Sequence, residues 1–407
     1  MSKNYCVGIT TEYNPFHKGH KYQIDSIRER LGPVPIIAVM SGNFVQRGAP
    51  ALADKWTRAN WALISGVDLV IELPVSYSLR SGMYFAQGAV RTLAATGCVT
   101  HLAFGCEATQ PEQLLGLSQL SCDDQLLRAH LSTGLSYAAA LVLSIPGLTD
   151  AERQLLKEPN NILALEYLKA LDKVRPAIQP LPLRRRGSSH HSTLLGEELS
   201  SGSAIRHALA ASNAKSKLRS TVPPQVYTWL QRNISPEQLA QREERLINLL
   251  NYRLTHVSAP ELQKYCDCSE GLDNKILSSA PASSYDELLE SIKSKRYPRT
   301  RLARLLCQSL ISSVACPFAA TAKTRPQYLR VLGLSNVGRT LLKTMKTTAK
   351  LPVLTKIGRD VYLQHPAKSF RQLLQLDMLA TDTYATLCGQ AVSHQDYTTS
   401  PVYLERE

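Results

Sequence analysis

Two histidines three residues apart, His17 and His20 with Gly19 between them, are the side chains in this sequence best spaced to do chemistry together. That spacing puts both imidazoles on one face of the first turn of a helix. A helix start carries unpaired N–H groups and partial positive charge, which suit an anion. Gly19 leaves the backbone uncovered, so a phosphate can come close. Neutral imidazoles donate hydrogen bonds to oxygens that gain charge in a transition state, which fits attack on the α-phosphate of a triphosphate. The same pair is also what chance produces, or half of a metal site. No Cys or carboxylate stands beside it at a ligand-like spacing, so zinc is disfavoured and no metal site is expected.

The flanking segments must position that pair. Tyr5–Ile9 reads as a short buried strand, Asn14-Pro15 as a turn, and Tyr22, Ile24, Ile27 and Leu31 as the buried stripe of a helix starting near His17 or Lys18. Pro35–Met40, Asp68–Pro74, Thr100–Gly105 and Ile178–Leu183 read as further strands, alternating with helices at Asp54–Ile64 and Ser81–Ala95. Alternation of this kind gives an α/β fold with an open, parallel, Rossmann-like sheet, whose ligands sit at the carboxyl ends of the strands. Gly105, at that rim, lets an adenine or ribose lie against the backbone. Arg47, Lys55 and Arg58 form a cationic cluster that either faces phosphates or RNA or is plain surface. Glu72, an acid inside a buried strand, reads as a satisfied structural group. Ser203 is placed to cap a helix that carries Arg206, and a hydroxyl, N–H groups and a guanidinium together suit a β- or γ-phosphate.

At 407 residues the chain has room for two domains, and its net charge of +14 favours a polyanionic partner, nucleic acid above all. The nine cysteines are scattered, with Cys266 and Cys268 the close pair. Met-Ser-Lys-Asn leads into a strand and no apolar run is long enough to span a bilayer, so no membrane association and a cytoplasmic protein are expected. Residues 211–224, rich in Ser, Lys and Pro, read as the boundary between a catalytic domain at 1–210 and a mainly α-helical, basic domain at 211–407. In the latter, Lys293–Arg304 contains no acid. Lys295, Arg296, Arg299, Arg301 and Arg304 are its candidate RNA-binding residues, with Tyr297 set to stack on a base. Lys323, Arg325, Arg330 and Arg339 extend the basic surface, and a solvated helix face is the plain alternative.

His17-Lys-Gly-His20 resembles the His-x-Gly-His signature of the nucleotidyltransferase superfamily, and Glu12-Tyr-Asn-Pro-Phe-His-Lys-Gly-His20 resembles the bacterial tRNA(Met) cytidine acetate ligase family. Met40–Gly48, Asp68–Pro74, Phe104–Glu107 and Pro159–Leu163 are similar to that family in the same order. The resemblance implies ATP as substrate, with Mg²⁺ accompanying the triphosphate, and acetate and elongator tRNA(Met) as the other reactants; no protein partner is expected. It implies His17 and His20 as the catalytic pair. For ATP it implies the run Val7, Gly8, Ile9, Thr10, Thr11, Glu12, Tyr13, Asn14, Pro15, Phe16, His17, Lys18, Gly19 and His20, together with Gly105. It adds Asn160 or Asn161, with Asn161 preferred as the helix-capping position, and Arg185 and Arg186 from the Arg184–Arg186 triplet. Ser201-Gly-Ser-Ala-Ile-Arg206 is similar to the superfamily's second signature, which adds Ser203 and Arg206. The rival readings are a nucleotidyltransferase acting on a small molecule and a non-catalytic RNA-binding protein.

Overall fold

The computed structural model describes residues 5–108, 113–120, 122–133, 135, 137–185, 199–211, 215–268, 271–358 and 360–406. The centre is an eight-stranded sheet. Its strands are β1 (Val7–Thr11), β2 (Ile36–Ser41), β3 (Leu69–Leu73), β4 (His101–Cys106), β5 (Gln179–Arg184), β6 (Leu329–Ser335), β7 (Val353–Leu354) and β8 (Val402–Leu404). In space they run β8-β6-β3-β2-β1-β4-β5, with β7 paired to β6. Strands β1 to β5 are parallel to one another, as the alternating sequence requires. The order grows outward from β1 in one direction through β2 and β3, then resumes on the other side with β4 and β5. The switch point therefore lies between β1 and β4, and the crevice outside their carboxyl ends is where such folds bind ligands.

Period-two side-chain placement builds both faces. From β2, Ile37 and Val39 enter one core while Ile36, Ala38 and Met40 enter the other. Helix α1 (Lys18–Leu31) adds Ile24 and Ile27 to the second core, beside Trp56 of α2 (Lys55–Ile64). Asp54 caps α2 as expected, accepting the N–H groups of Trp56 and Thr57 at 2.9 Å. Helices α3 (Gly82–Ala95) and α4 (Pro159–Leu171) cover the first face. Pro159 opens α4, so Asn160 and Asn161 lie in its first turn, and the N-cap position belongs to Glu158. Within the Ser- and Lys-rich stretch, the part at 217–224 is docked on the molecule: Leu218 and Val222 are buried in the α1 core, and the Thr221 carbonyl accepts the Lys18 N–H at 2.9 Å.

Helices dominate after residue 215, including α5 (Gly202–Ala210) leading into them, α6 (Pro236–Thr255), α7 (Arg299–Ile311), α8 (Asn336–Thr348) and α9 (Lys368–Leu387). Leu302, Leu305 and Leu306 of α7 pack into their own core with Leu246 and Leu250 of α6, and this core also takes Phe44, Val75 and Leu79 from the first half. The expected parallel sheet is present in β1 to β5, and the second half of the chain adds to its edge. Strand β6 joins β3 antiparallel, with Leu69 opposite Leu334, and β8 then adds parallel to β6. Residues beyond 210 thus complete the sheet laid down by the first half. Among the described residues no helix is long and apolar enough to cross a membrane.

A buried charge knot fastens the two halves. Lys55 Nζ, fully buried, donates to both Glu72 oxygens at 2.9 Å and to the Asp396 carboxylate at 2.8 and 3.1 Å. Arg330 on β6, also buried, donates to the Asp396 carbonyl at 3.1 Å. Arg58 spends its guanidinium on the carbonyls of Ala53, Glu12, Ser41 and Gly42. Lys55, Arg58 and Arg330 are therefore internal braces, unavailable to phosphates or RNA, whereas Glu72 has the structural role read from its strand. Removing one member of a buried pair leaves an uncompensated charge. Lys55→Ala is expected to lower stability by about 3–5 kcal/mol, read from the midpoint of urea unfolding.

Candidate functional site

The site begins with how α1 starts. His17 is the N-cap: its Nδ1 accepts the Gly19 N–H at 3.1 Å, while the His17 N–H donates to His20 Nδ1 at 3.2 Å. The two imidazoles thus form a reciprocal capping box with rings in place of the usual hydroxyl and carboxylate. They stack with centroids 3.7 Å apart and an interplanar angle of 24°. A backbone N–H can only donate, so each Nδ1 is unprotonated and each Nε2 bears the hydrogen. Burial, reinforced by Arg185 and Arg206, lowers the His17 pKa to about 3. Burial, then His17, then Arg185 hold His20 well below its ordinary value. Both rings are neutral donors at physiological pH. Gly19 has a steric reason as well: a Cβ there would sit 3.0 Å from the His17 ring.

The preceding loop is held rigidly. Asn14 Oδ1 accepts the Leu52 N–H at 2.7 Å, and the Asn14 carbonyl accepts from Arg206. Tyr13 adopts φ +47°, an uncommon conformation for a bulky residue, and lays its ring edge-on to His20 at 4.8 Å. Glu12 Oε1 accepts the Gln46 N–H at 2.6 Å. Thr10, Thr11, Glu12, Tyr13, Asn14, Pro15, His17, Gly19 and His20 all line one cleft of about 1140 Å³, somewhat larger than ordinary ligand sites. Val7, Gly8, Ile9 and Phe16 from the same run are buried beneath it, and Lys18 points to solvent. A Cβ on Gly8 would strike Leu93 at 2.8 Å, so that glycine serves helix packing.

The other expected residues divide. Gly105, Arg184, Arg185, Ser203 and Arg206 line the same cleft. Gly105 makes room for Arg185, whose side chain lies 3.0 Å from where a Cβ would be. The cap of α5 is Ser201, whose Oγ accepts the Ala204 N–H at 3.1 Å; Ser203 instead accepts from Arg206 Nη2 at 3.2 Å. Of the two asparagines, Asn160 lines the cleft. Asn161 is fully buried, bonding the N–H groups of Glu107 and Ala108 and the Leu155 carbonyl, so it braces the loop after β4. Arg186 lies outside the described residues.

The far wall comes from the second half. Arg296, Arg301, Arg304 and Gln308 line the cleft that holds the histidines. The hairpin Phe44–Val45/Ala49–Pro50 meets α7 without a side chain between them: Gly48, at φ +79°, would put a Cβ 2.3 Å from the Arg304 backbone nitrogen. Arg304 Nη1 donates to the Gln46 carbonyl at 3.2 Å, and burial lowers its pKa to about 10, still cationic at neutral pH. Tyr297 is buried under the Arg301 guanidinium at 4.8 Å, so it supports an arginine instead of stacking on a base. Lys295 is exposed outside the cleft, and Arg299 is paired with Asp286 and Glu290. Sequence reasoning overlooked Arg80, Tyr84 and Asp267, which also line the cleft. Arg80 Nε donates to Asp267 Oδ2 at 2.7 Å, and the one sequence signal was an acid flanked by two cysteines.

Comparison with known proteins shows the family and the fold. A family profile described as HIGH Nucleotidyl Transferase matches residues 4–400. The tRNA(Met) cytidine acetate ligase of Clostridium kluyveri is 36% identical over 413 residues, covering 98% of this chain and 99% of the relative. That of Syntrophomonas wolfei is 37% identical over 414 residues, covering 97% and 99%. The solved structure of apo Thermotoga maritima TmcAL superposes with a TM-score of 0.88 at 30% identity, covering 99% of this chain and 100% of that one. The form of that protein bound with alpha-thio ATP gives 0.85 at 31% identity, with the same coverage. With its histidine pair at the switch point of the sheet and matches running the length of the sequence, the chain belongs to the HIGH nucleotidyl transferases and, within them, to the tRNA(Met) cytidine acetate ligase family.

Proposed function

We propose that this protein uses ATP to activate acetate and transfers the acetyl group to N4 of the wobble cytidine of elongator tRNA(Met), giving N4-acetylcytidine, AMP and diphosphate. The observation that carries this reading is the neutral, stacked imidazole pair, each with Nε2–H available beside a helix N-terminus. In the first step a carboxylate oxygen of acetate bonds to the α-phosphorus in line, and diphosphate leaves. His17 and His20 donate to α-phosphate oxygens, where charge accumulates. Arg206, steadied by the Asn14 carbonyl and Ser203, and Arg185 supply charge for the β- and γ-phosphates. The rim at Gly105 takes the ribose or adenine, with Asn160 beside it. In the second step N4 attacks the acyl carbon and AMP departs.

Among the described residues no group of three metal-ligating side chains comes together. Mg²⁺ travelling with the triphosphate would rely on phosphate oxygens and water. Residues 1–210 supply activation in this reading, and residues 211–407 present the RNA through Arg296, Arg301 and Arg304, with Lys295 and Arg299 at the margin. A tRNA substrate makes the cytoplasm its place of work.

The primary test is acetate-dependent diphosphate release with and without tRNA, followed by detection of N4-acetylcytidine. Adenylylation of a metabolite in place of acetate would favour a small-molecule transferase, and tight tRNA binding without turnover a non-catalytic protein. His17→Ala and His20→Ala are each expected to slow adenylate formation by about 10²–10³-fold, measured as acetate-dependent ATP–diphosphate exchange. Combined Lys295→Glu and Arg301→Glu is expected to weaken tRNA binding and flatten its salt dependence by about one unit of slope per lost phosphate contact, with RNA-free exchange affected far less. For His17 the unfolded chain binds a proton that the native chain refuses between its ordinary pKa of 6.5 and about 3. Its contribution to stability is therefore complete above 6.5 and is lost as pH falls toward 3. Ring ¹⁵N shifts are expected to report the Nε2–H tautomer throughout pH 5–8, roughly the range over which an unperturbed histidine would titrate.

A further inference from the structure

The activation site leaves the second step without an assigned proton acceptor. Cytosine N4 is a weak nucleophile that must shed a proton as it acquires the acetyl group, and a positioned base commonly supplies this. Among the described residues the acids lining the cleft are Glu12, Glu166 and Asp267. Glu12 is occupied by the Gln46 N–H and Ser41 hydroxyl within the nucleotide run. Glu166 is buried on α4, at 5% exposure. Asp267 keeps a third of its side chain open, at 34%.

Asp267 is also firmly held. Arg80 holds both of its oxygens, at 2.7 and 3.2 Å, and Gln308 of α7 accepts its backbone N–H at 2.9 Å. Arg80 is buried, bonded to the carbonyls of Ser76 and Phe318 and laid over the Phe318 ring at 4.7 Å. Gln308 lies one turn beyond Arg304, which places Asp267 alongside the basic face that would carry the RNA strand. Gln46 joins this corner to the nucleotide: its N–H meets Glu12, its carbonyl receives Arg304, and its side-chain amide donates to the Arg80 carbonyl at 3.3 Å. The carboxylate is thus linked through Arg80 and Gln46 to Glu12, and it lines the same cleft as the histidines.

A base everted into such a cleft presents N4–H₂ as a donor, and a carboxylate is the side chain that accepts it. We propose that Asp267 accepts a hydrogen bond from one N4–H of the acceptor cytosine and takes that proton during acetyl transfer. The N4 lone pair forms the bond to the acyl carbon, the bond from that carbon to the adenylate oxygen breaks, and its electron pair leaves on AMP. The N4 proton passes to Asp267 and then to water. Arg80 fixes the carboxylate, which lines the cleft with a third of its side chain exposed. This rests on the acetyl-transfer reading above, which supplies the nucleophile.

The test measures acetyl transfer to a tRNA transcript at saturating ATP and acetate, with RNA-free, acetate-dependent ATP–diphosphate exchange followed in parallel. Asp267→Asn keeps the size and a hydrogen bond to Arg80 but removes the base. It is expected to lower kcat for transfer by about 10²–10⁴-fold while KM for tRNA moves by less than about threefold, well under the tenfold that 1.4 kcal/mol of binding represents. Asp267→Glu keeps the charge opposite Arg80 and displaces the oxygens by one methylene. It guards against a folding failure of the first variant and is expected to lower kcat by about tenfold, again with little change in KM. Undiminished transfer in either variant, a rise in KM without loss of kcat, or equal loss of exchange and transfer would overturn the assignment to Asp267. Failure of the wild-type protein to show acetate-dependent exchange or to acetylate tRNA would instead overturn the reaction itself.

Discussion

Everything at the active end of this molecule depends on how the first turn of α1 satisfies its own N–H groups. A serine or aspartate would end that requirement with one oxygen. Here two imidazoles do it reciprocally, and in doing so their Nδ1 atoms are consumed and their tautomers fixed. Burial then makes a positive charge on either ring costly, and the guanidinium groups nearby add to that cost, as the stacked His17 does for His20. The pair is left as two uncharged donors aimed at one region of space. Such groups stabilise negative charge without competing for a proton, which is what an in-line displacement at phosphorus asks of its surroundings.

A second level of organisation keeps the cleft walls in place. Cations that would have been natural phosphate ligands on composition alone are turned inward. Arg58 gathers the carbonyls of residues 12, 41, 42 and 53 around itself, and so ties the loop after β1 to the loop after β2. Lys55 binds Glu72 of β3 to Asp396, more than three hundred residues later. Net positive charge is therefore a poor guide to where a polyanion lies: burial and pairing remove some cations from the surface, while Arg206, Arg301 and Arg304 stay turned into the cleft.

The parts of the structure that were legible in the sequence are those set by local periodicity and local caps. The first five strands, the Asp54 cap and the start of α1 follow from short apolar runs bounded by Gly, Pro and Asp, and each is found within a residue or two of its expected place. The histidine pair was legible because its spacing, its glycine and its preceding strand all specify one geometry. Strand β6 was not legible: Leu329–Ser335 sits among helices in a basic stretch, and what makes it a strand is the open edge of β3, far away in the chain. Tyr297 and Asn161 show the same limit at the level of single residues. Their types suited a base and a nucleotide, but their neighbours in space, Arg301 for one and the Glu107–Ala108 backbone for the other, claim them first. The Arg80–Asp267 pair joins positions 187 residues apart, a contact that periodicity cannot encode.

The antiparallel seam between β3 and β6 bears on how the protein is made. As the chain leaves the ribosome, β1 to β5 can assemble in the order of their synthesis, yet the outer edge of β3 keeps unpaired backbone groups until Leu329–Ser335 has emerged. An apolar strand edge of that kind is a template for pairing with another chain. During the interval in which the intervening helices are translated, the nascent first half is thus exposed to misassociation, and it is the last fifth of the polypeptide that closes the seam and quenches the hazard.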